Sequence, residues 1–196
     1  MDRIRDRTLA GVSFVAVGVI LLLGFVTAES QFPGYSTSTQ TISALGSARG
    51  TPASRAVFNG AMVLSGGVTL VAAYGLHGVY GRRGLTALVA VTGLGGLVGV
   101  GVFPAETGLP HFLAAVIAFG GIGVSALVVA ATVRGPFRYL SAGLGVLELL
   151  AFVAFVTIGE ATPLGIGGLE RWVAYLGIAW ATAFGGFLLP RDTTAT

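Results

Sequence analysis

The chain has 196 residues, 54% of them hydrophobic and only 10% charged. Soluble domains carry about 25% charged residues, so a water-soluble globule is excluded, and the absence of cysteine excludes disulfide and thiolate chemistry. The net charge of +3 owes its positive part to arginine alone; these arginines flank apolar runs and do not interleave with aromatics, so nucleic acid is not an expected partner.

Arg3, Arg5 and Arg7 precede an uncharged run over 8–28. Its apolar core exceeds the ~7–15 residues of a secretory signal, which predicts a retained first transmembrane helix. The interval 29–55 is the one long polar stretch between apolar runs. It holds Ser36, Thr37, Ser38, Thr39, Thr41 and Ser43 between turn signals at Pro33-Gly34 and Gly50-Thr51-Pro52. Ile42 and Leu45, three apart, predict a short helix there, lying on the membrane surface. Further spans are predicted over 56–80, 85–103, 111–133, 139–159 and 170–189, each close to the ~20 residues that cross a hydrocarbon core. The expected fold class is all-α: a polytopic membrane protein of six transmembrane helices forming a single domain over 1–196. The third span is rich in glycine, and Gly95 and Gly99 have the spacing that allows helices to approach closely. A homo- or hetero-oligomer would form there.

Six spans place both termini on one side. Arg3, Arg5, Arg7, Arg82, Arg83, Arg134, Arg138 and Arg191 fall on that side; Arg49, Arg55 and Arg171 fall on the other. The positive-inside rule then predicts cytoplasmic termini in a cell membrane, with the 29–55 loop outside. Tyr80 and Tyr139 suit the inner aromatic belt, Tyr35 and Trp172 the outer one.

Four polar residues come to the outer ends of spans or to the outer loop: Ser43, Asn59 in the first turn of the second span, His111 opening the fourth, and Glu170 opening the sixth beside Arg171. A binding site built from Ser43, Asn59, His111, Glu170 and Arg171 is one reading. A hydrolase with Ser43 as nucleophile, His111 as base and Glu170 as orienter is another. The plainest alternative is that helix ends need polar groups for their free N–H donors and dipoles. If the cluster is real, His111 and Glu170 share a depth and couple in a double-mutant cycle. One outer histidine is too few ligands for a metal site, and no cofactor is expected. Glu148 differs, because it lies in mid-span on the fifth helix. An ionised carboxylate there costs at least ~2.5 kcal/mol. A ligand counter-ion or proton relay competes with a protonated carboxyl hydrogen-bonded between helices.

Ile42 to Ser47 (ISALGS), Val100 to Pro104 (VGVFP), His111, and Glu170 to Tyr175 (ERWVAY) together resemble the archaeal and bacterial six-helix proteins called domain of unknown function 998. The arrangement is also similar to the wider six-helix group of autophagy modulators and GPI-anchor remodelling factors. Members there read Ser-Asp-x-Gly in the first outer loop, and Ala44 stands here in place of that Asp, which weakens any catalytic carry-over. The resemblance implies a small integral membrane protein concerned with lipids, and no assigned reaction. The expected function is therefore a lipid-binding or accessory protein with membrane lipids as partners, leaning away from an enzyme. The alternatives are a lipid-remodelling hydrolase using Ser43, His111 and Glu170, and a small transporter using Glu148.

Overall fold

A computed structural model describes residues 2–190. Six long helices account for most of it: α1 (Asp2–Ser30), α2 (Pro52–Tyr80), α3 (Arg83–Val102), α4 (Leu109–Thr132), α5 (Phe137–Thr157) and α6 (Gly165–Leu188). The first five are long and apolar enough to cross a bilayer. The sixth has the same reach, 24 residues, but carries Glu170 and Arg171, both buried. The chain is an all-helical, multi-pass membrane protein. Arg191, counted above with the inner-side charges, lies outside the described residues.

Each helix packs on its sequence neighbours, and α6 closes the ring by packing on α1. Two apolar clusters fill the ring. The one nearer the chain termini, the inner cluster, centres on Trp180 and Phe184, with Phe14, Leu76 and Leu188 around them. Trp180 stacks on Phe184 at 5.3 Å, and its indole N–H donates to Ser141 Oγ at 2.8 Å, so the buried ring leaves no polar atom unpaired. The outer cluster joins Leu21, Phe25, Phe58, Met62, Leu97 and Val100 to Ile42 and Leu45 of the polar interval.

Several helix ends differ from the sequence expectation for local reasons. Helix α2 starts at Pro52 because Thr51 caps it, its side chain accepting from the Ser54 N–H, with Pro at the first position. Asn59 thus sits well inside α2, not in its first turn. Helix α6 starts at Gly165, so Glu170 lies beyond the first turn and is not a helix-end group. Helix α4 starts at Leu109, so His111 is its third residue. Helix α3 is not uniform: Thr92–Val98 widens into a π-helical turn, a feature often found beside functional sites.

The expected surface helix over the Ser43 segment is instead a 3-10 turn, Ile42–Gly46, sunk into the outer mouth of the ring. Ile42 is 3% exposed and Leu45 fully buried. The two apolar residues are too few for a membrane-surface helix, but they are enough to plug the bundle by packing in one cluster with the stacked rings of Phe25 and Phe58.

Candidate functional site

The plug is held by buried side chains of α2 and α6. Glu170 accepts the Ile42 backbone N–H, and the Ser43 N–H and hydroxyl face the same carboxylate. Asn59 Nδ2 donates to the Gly46 carbonyl at 3.1 Å. Ser54 Oγ donates to the Leu45 carbonyl at 2.8 Å. Three of the sequence-predicted groups, Ser43, Asn59 and Glu170, are therefore brought together through one short segment.

Arg171 turns away from Glu170 and secures the rest of the outer loop. One guanidinium nitrogen donates to the carbonyls of Thr37 at 2.8 Å, Gln40 at 3.3 Å and Gly167 at 2.9 Å. The other donates to Glu29 at 2.6 Å and to Tyr35 Oη at 2.7 Å. Tyr35 in turn donates to the Thr41 carbonyl at 2.7 Å. Burial pushes the Tyr35 phenol up to about 12, against the opposing pull of the Arg171 hydrogen bond, so it remains a donor throughout the neutral range. Loop residues 37–40 lie so close to α6 that a Cβ at Gly167 would meet the Gln40 carbonyl oxygen at 2.1 Å. Tyr35 and Glu29 are site residues that sequence reasoning missed. Their only signal was a buried-capable acid and phenol on the same side as Arg171.

His111 does not join Glu170 directly. Its Nδ1 lies 2.7 Å from the Phe103 carbonyl; a carbonyl only accepts, so Nδ1 carries a proton and Nε2 is the nitrogen left to face elsewhere. What the two share is a cavity. It runs down the inside of the ring beneath the plug, with Ser43, His111 and Glu170 at its outer end and Glu148 at its inner end. Its wall is otherwise apolar, formed by Leu21 and Phe25 of α1, Ile42 of the plug, Phe58 and Met62 of α2, Leu97 and Val100 of α3, Ala115, Ala118, Phe119 and Ile122 of α4, and Ala174 and Ile178 of α6. The space open to the centres of water-sized spheres is about 50 Å³.

Glu148 is 1% exposed, and neither carboxyl oxygen has a hydrogen-bond partner. The interhelical hydrogen bond expected of a protonated structural carboxyl is absent among the described residues. Neighbouring polar groups are engaged elsewhere: Ser141 donates to the Ala126 carbonyl at 2.8 Å and Ser125 to that of Gly121 at 2.7 Å.

Two glycines of α3 bring it close to α4. A Cβ at Gly96 would lie 2.7 Å from Ala118 Cα, and one at Gly99 would lie 2.9 Å from Ala114 Cβ. Gly95 has only ordinary contacts, at 3.5 Å with Ile117. The close approach is thus made by Gly96 and Gly99 against α4, not by the Gly95–Gly99 pair.

No curated protein and no solved structure matches the chain. The description Protein of unknown function (DUF998) matches residues 15–186, from within α1 to within α6, and the chain belongs to that family.

Proposed function

We propose that the protein binds a single-chain amphiphile in the cavity beneath the plug, its polar end at Ser43, His111 and Glu170 and its chain along the apolar wall. The observation that carries this reading is the cavity itself: a narrow apolar bore headed by three polar side chains. Binding sites of this kind are mostly apolar with a few convergent polar groups. The hydrolase reading has less support. His111 is held by the Phe103 carbonyl, while the Ser43 hydroxyl faces Thr41 Oγ1 and the Glu170 carboxylate, so no histidine stands between serine and carboxylate and the three do not form a relay.

Native mass spectrometry of the detergent-purified protein tests the reading. The wild type is expected to carry a bound amphiphile, and Ala174→Phe, which fills the cavity from α6, is expected to lose it while remaining monodisperse. A wild type with nothing bound, or a variant that retains the same mass, would overturn it.

The plug faces the outside of a cell membrane in this proposal, with both termini cytoplasmic, because eight of the arginines lie on the terminal side and three on the other. Single cysteines can be introduced on this cysteine-free background. Residue 38 should react with an impermeant maleimide from outside and residue 4 should not; the reverse pattern would sink the orientation.

A further inference from the structure

The outer end of the cavity explains where an amphiphile's polar group would sit, but it leaves the inner end unexplained. Glu148 closes that end with both carboxyl oxygens unpartnered and 1% of the residue exposed. The surrounding helices make room for it. A Cβ at Gly177 of α6 would lie 3.0 Å from Oε1, and one at Gly123 of α4 would lie 3.5 Å from Oε2. Helix α5 buries only Ser141, Gly145 and Glu148, spaced i, i+4, i+7, so its one inward stripe delivers this carboxyl to the cavity. A buried polar group without a partner is costly, and an ionised one far more so. Two glycines and a carboxyl at the inner end of the bore form a place for a donor that the chain does not provide.

We propose that the bound molecule is polar at both ends, and that its inner end is a protonated amine held by Glu148. This rests on the amphiphile reading above. The charge inventory selects the amine. The cavity is lined by two carboxyl groups, one histidine and one serine, with no arginine or lysine, so the wall is rich in acceptors and poor in donors. An ammonium supplies three donors and the opposite charge, and charge-assisted hydrogen bonds are about twice as strong as neutral ones.

The dimensions select the chain. Glu170 and Gly177 are separated on α6 by a rise of about 10 Å, and His111 and Ile122 on α4 by about 16 Å. A ten-carbon chain with a polar group at each end has a length between these two. A bore with about 50 Å³ open to the centres of water-sized spheres along such a length is wide enough for one unbranched chain and leaves no room for a glycerol backbone with two.

The test uses the full-length protein in detergent, stripped of endogenous ligand, with three probes of equal length: decanol, decanediol with a hydroxyl at each end, and the amino alcohol with a hydroxyl at one end and an amine at the other. Retention is read by native mass spectrometry in competition. Wild type is expected to prefer the amino alcohol to decanol by about tenfold or more, as a charge-assisted contact in a dry site implies. Glu148→Gln, which keeps the shape, should erase that preference while retaining decanol and the melting temperature. The wild-type ratio decides even if the variant fails to fold. Equal retention of all three probes would overturn the second polar end and leave the amphiphile reading standing. Decanediol matching the amino alcohol would overturn the amine assignment. An undiminished preference in Glu148→Gln would place the amine elsewhere, and retention of phosphatidylethanolamine in place of the single-chain probes would overturn the single-chain assignment. Retention of none of the probes would overturn the amphiphile reading itself.

Discussion

Arg171→Ala is expected to lower stability by about 3–5 kcal/mol, the usual cost of removing one member of a buried ion pair. Arg171 is 8% exposed. Its loss leaves the Glu29 carboxylate without its cation and removes a donor from the loop carbonyls of Thr37 and Gln40. The outer loop has few apolar anchors besides Ile42 and Leu45, so the damage should be local first. Residues 31–40 should become sensitive to protease before the helices unfold. At roughly 2–4 °C per kcal/mol for a chain of this size, the unfolding midpoint in detergent should fall by roughly 10 °C. A midpoint within a degree or two of wild type, with the loop still resistant, would show that the carbonyl cradle and the Glu29 pair contribute little. Arg171→Lys is a useful companion. A single ammonium cannot span both sides of this cradle as a planar fork does, so it should recover only part of the loss.

Gly96→Val should cost about 3 kcal/mol, at the upper end of what overpacking usually costs. The added Cβ meets backbone, Ala118 N and Cα both at 2.7 Å, and backbone cannot rotate away as a side chain can. Helices α3 and α4 must separate, and the cavity wall, where Leu97 and Ala118 stand side by side, must open with them. Gly95→Val is the control. Its Cβ meets only Ile117 side-chain atoms at 3.5 Å, so it should stay within about 1 kcal/mol of wild type. Thermal unfolding of the two variants under identical detergent conditions separates the cases. Equal losses would mean that the glycines serve the π-helical turn as such, and not the α3–α4 approach.

That pair of glycines marks how far sequence reading reaches. The spacing of Gly95 and Gly99 announces close helix packing, and close packing is what α3 does. Which glycine faces the neighbour depends on the rotation of α3 about its axis, and the π-helical turn at Thr92–Val98 changes that rotation in mid-helix. No periodic pattern in the residues signals such a turn. The Ser43 segment is a similar case. Its polarity was plain, and its two apolar residues were too few to decide between lying on a membrane and plugging a bundle. Burial against Phe25 and Phe58 decided it. As immediate neighbours in sequence, Arg171 and Glu170 fall into one outer polar group. Adjacent helical residues point in different directions, so Glu170 turns to Ile42 and the cavity while Arg171 turns to Tyr35 and Glu29.

The sequence by itself determined the all-helical, membrane-spanning character of the chain, the existence of the six helices, the polar outer loop, and the isolation of Glu148 in mid-span. These follow from local composition: apolar runs of bilayer length must be helical because lipid offers the backbone no hydrogen bonds. Only the tertiary structure decided that α1 and α6 close a ring, that Glu29 and Tyr35 are bound to Arg171 across more than 130 residues of chain, and that Ser43, His111, Glu170 and Glu148 line one cavity. Those are relations between helix faces. They depend on how each helix is rotated and how closely small residues let it approach, and packing sets both across distances that no window along the chain can span.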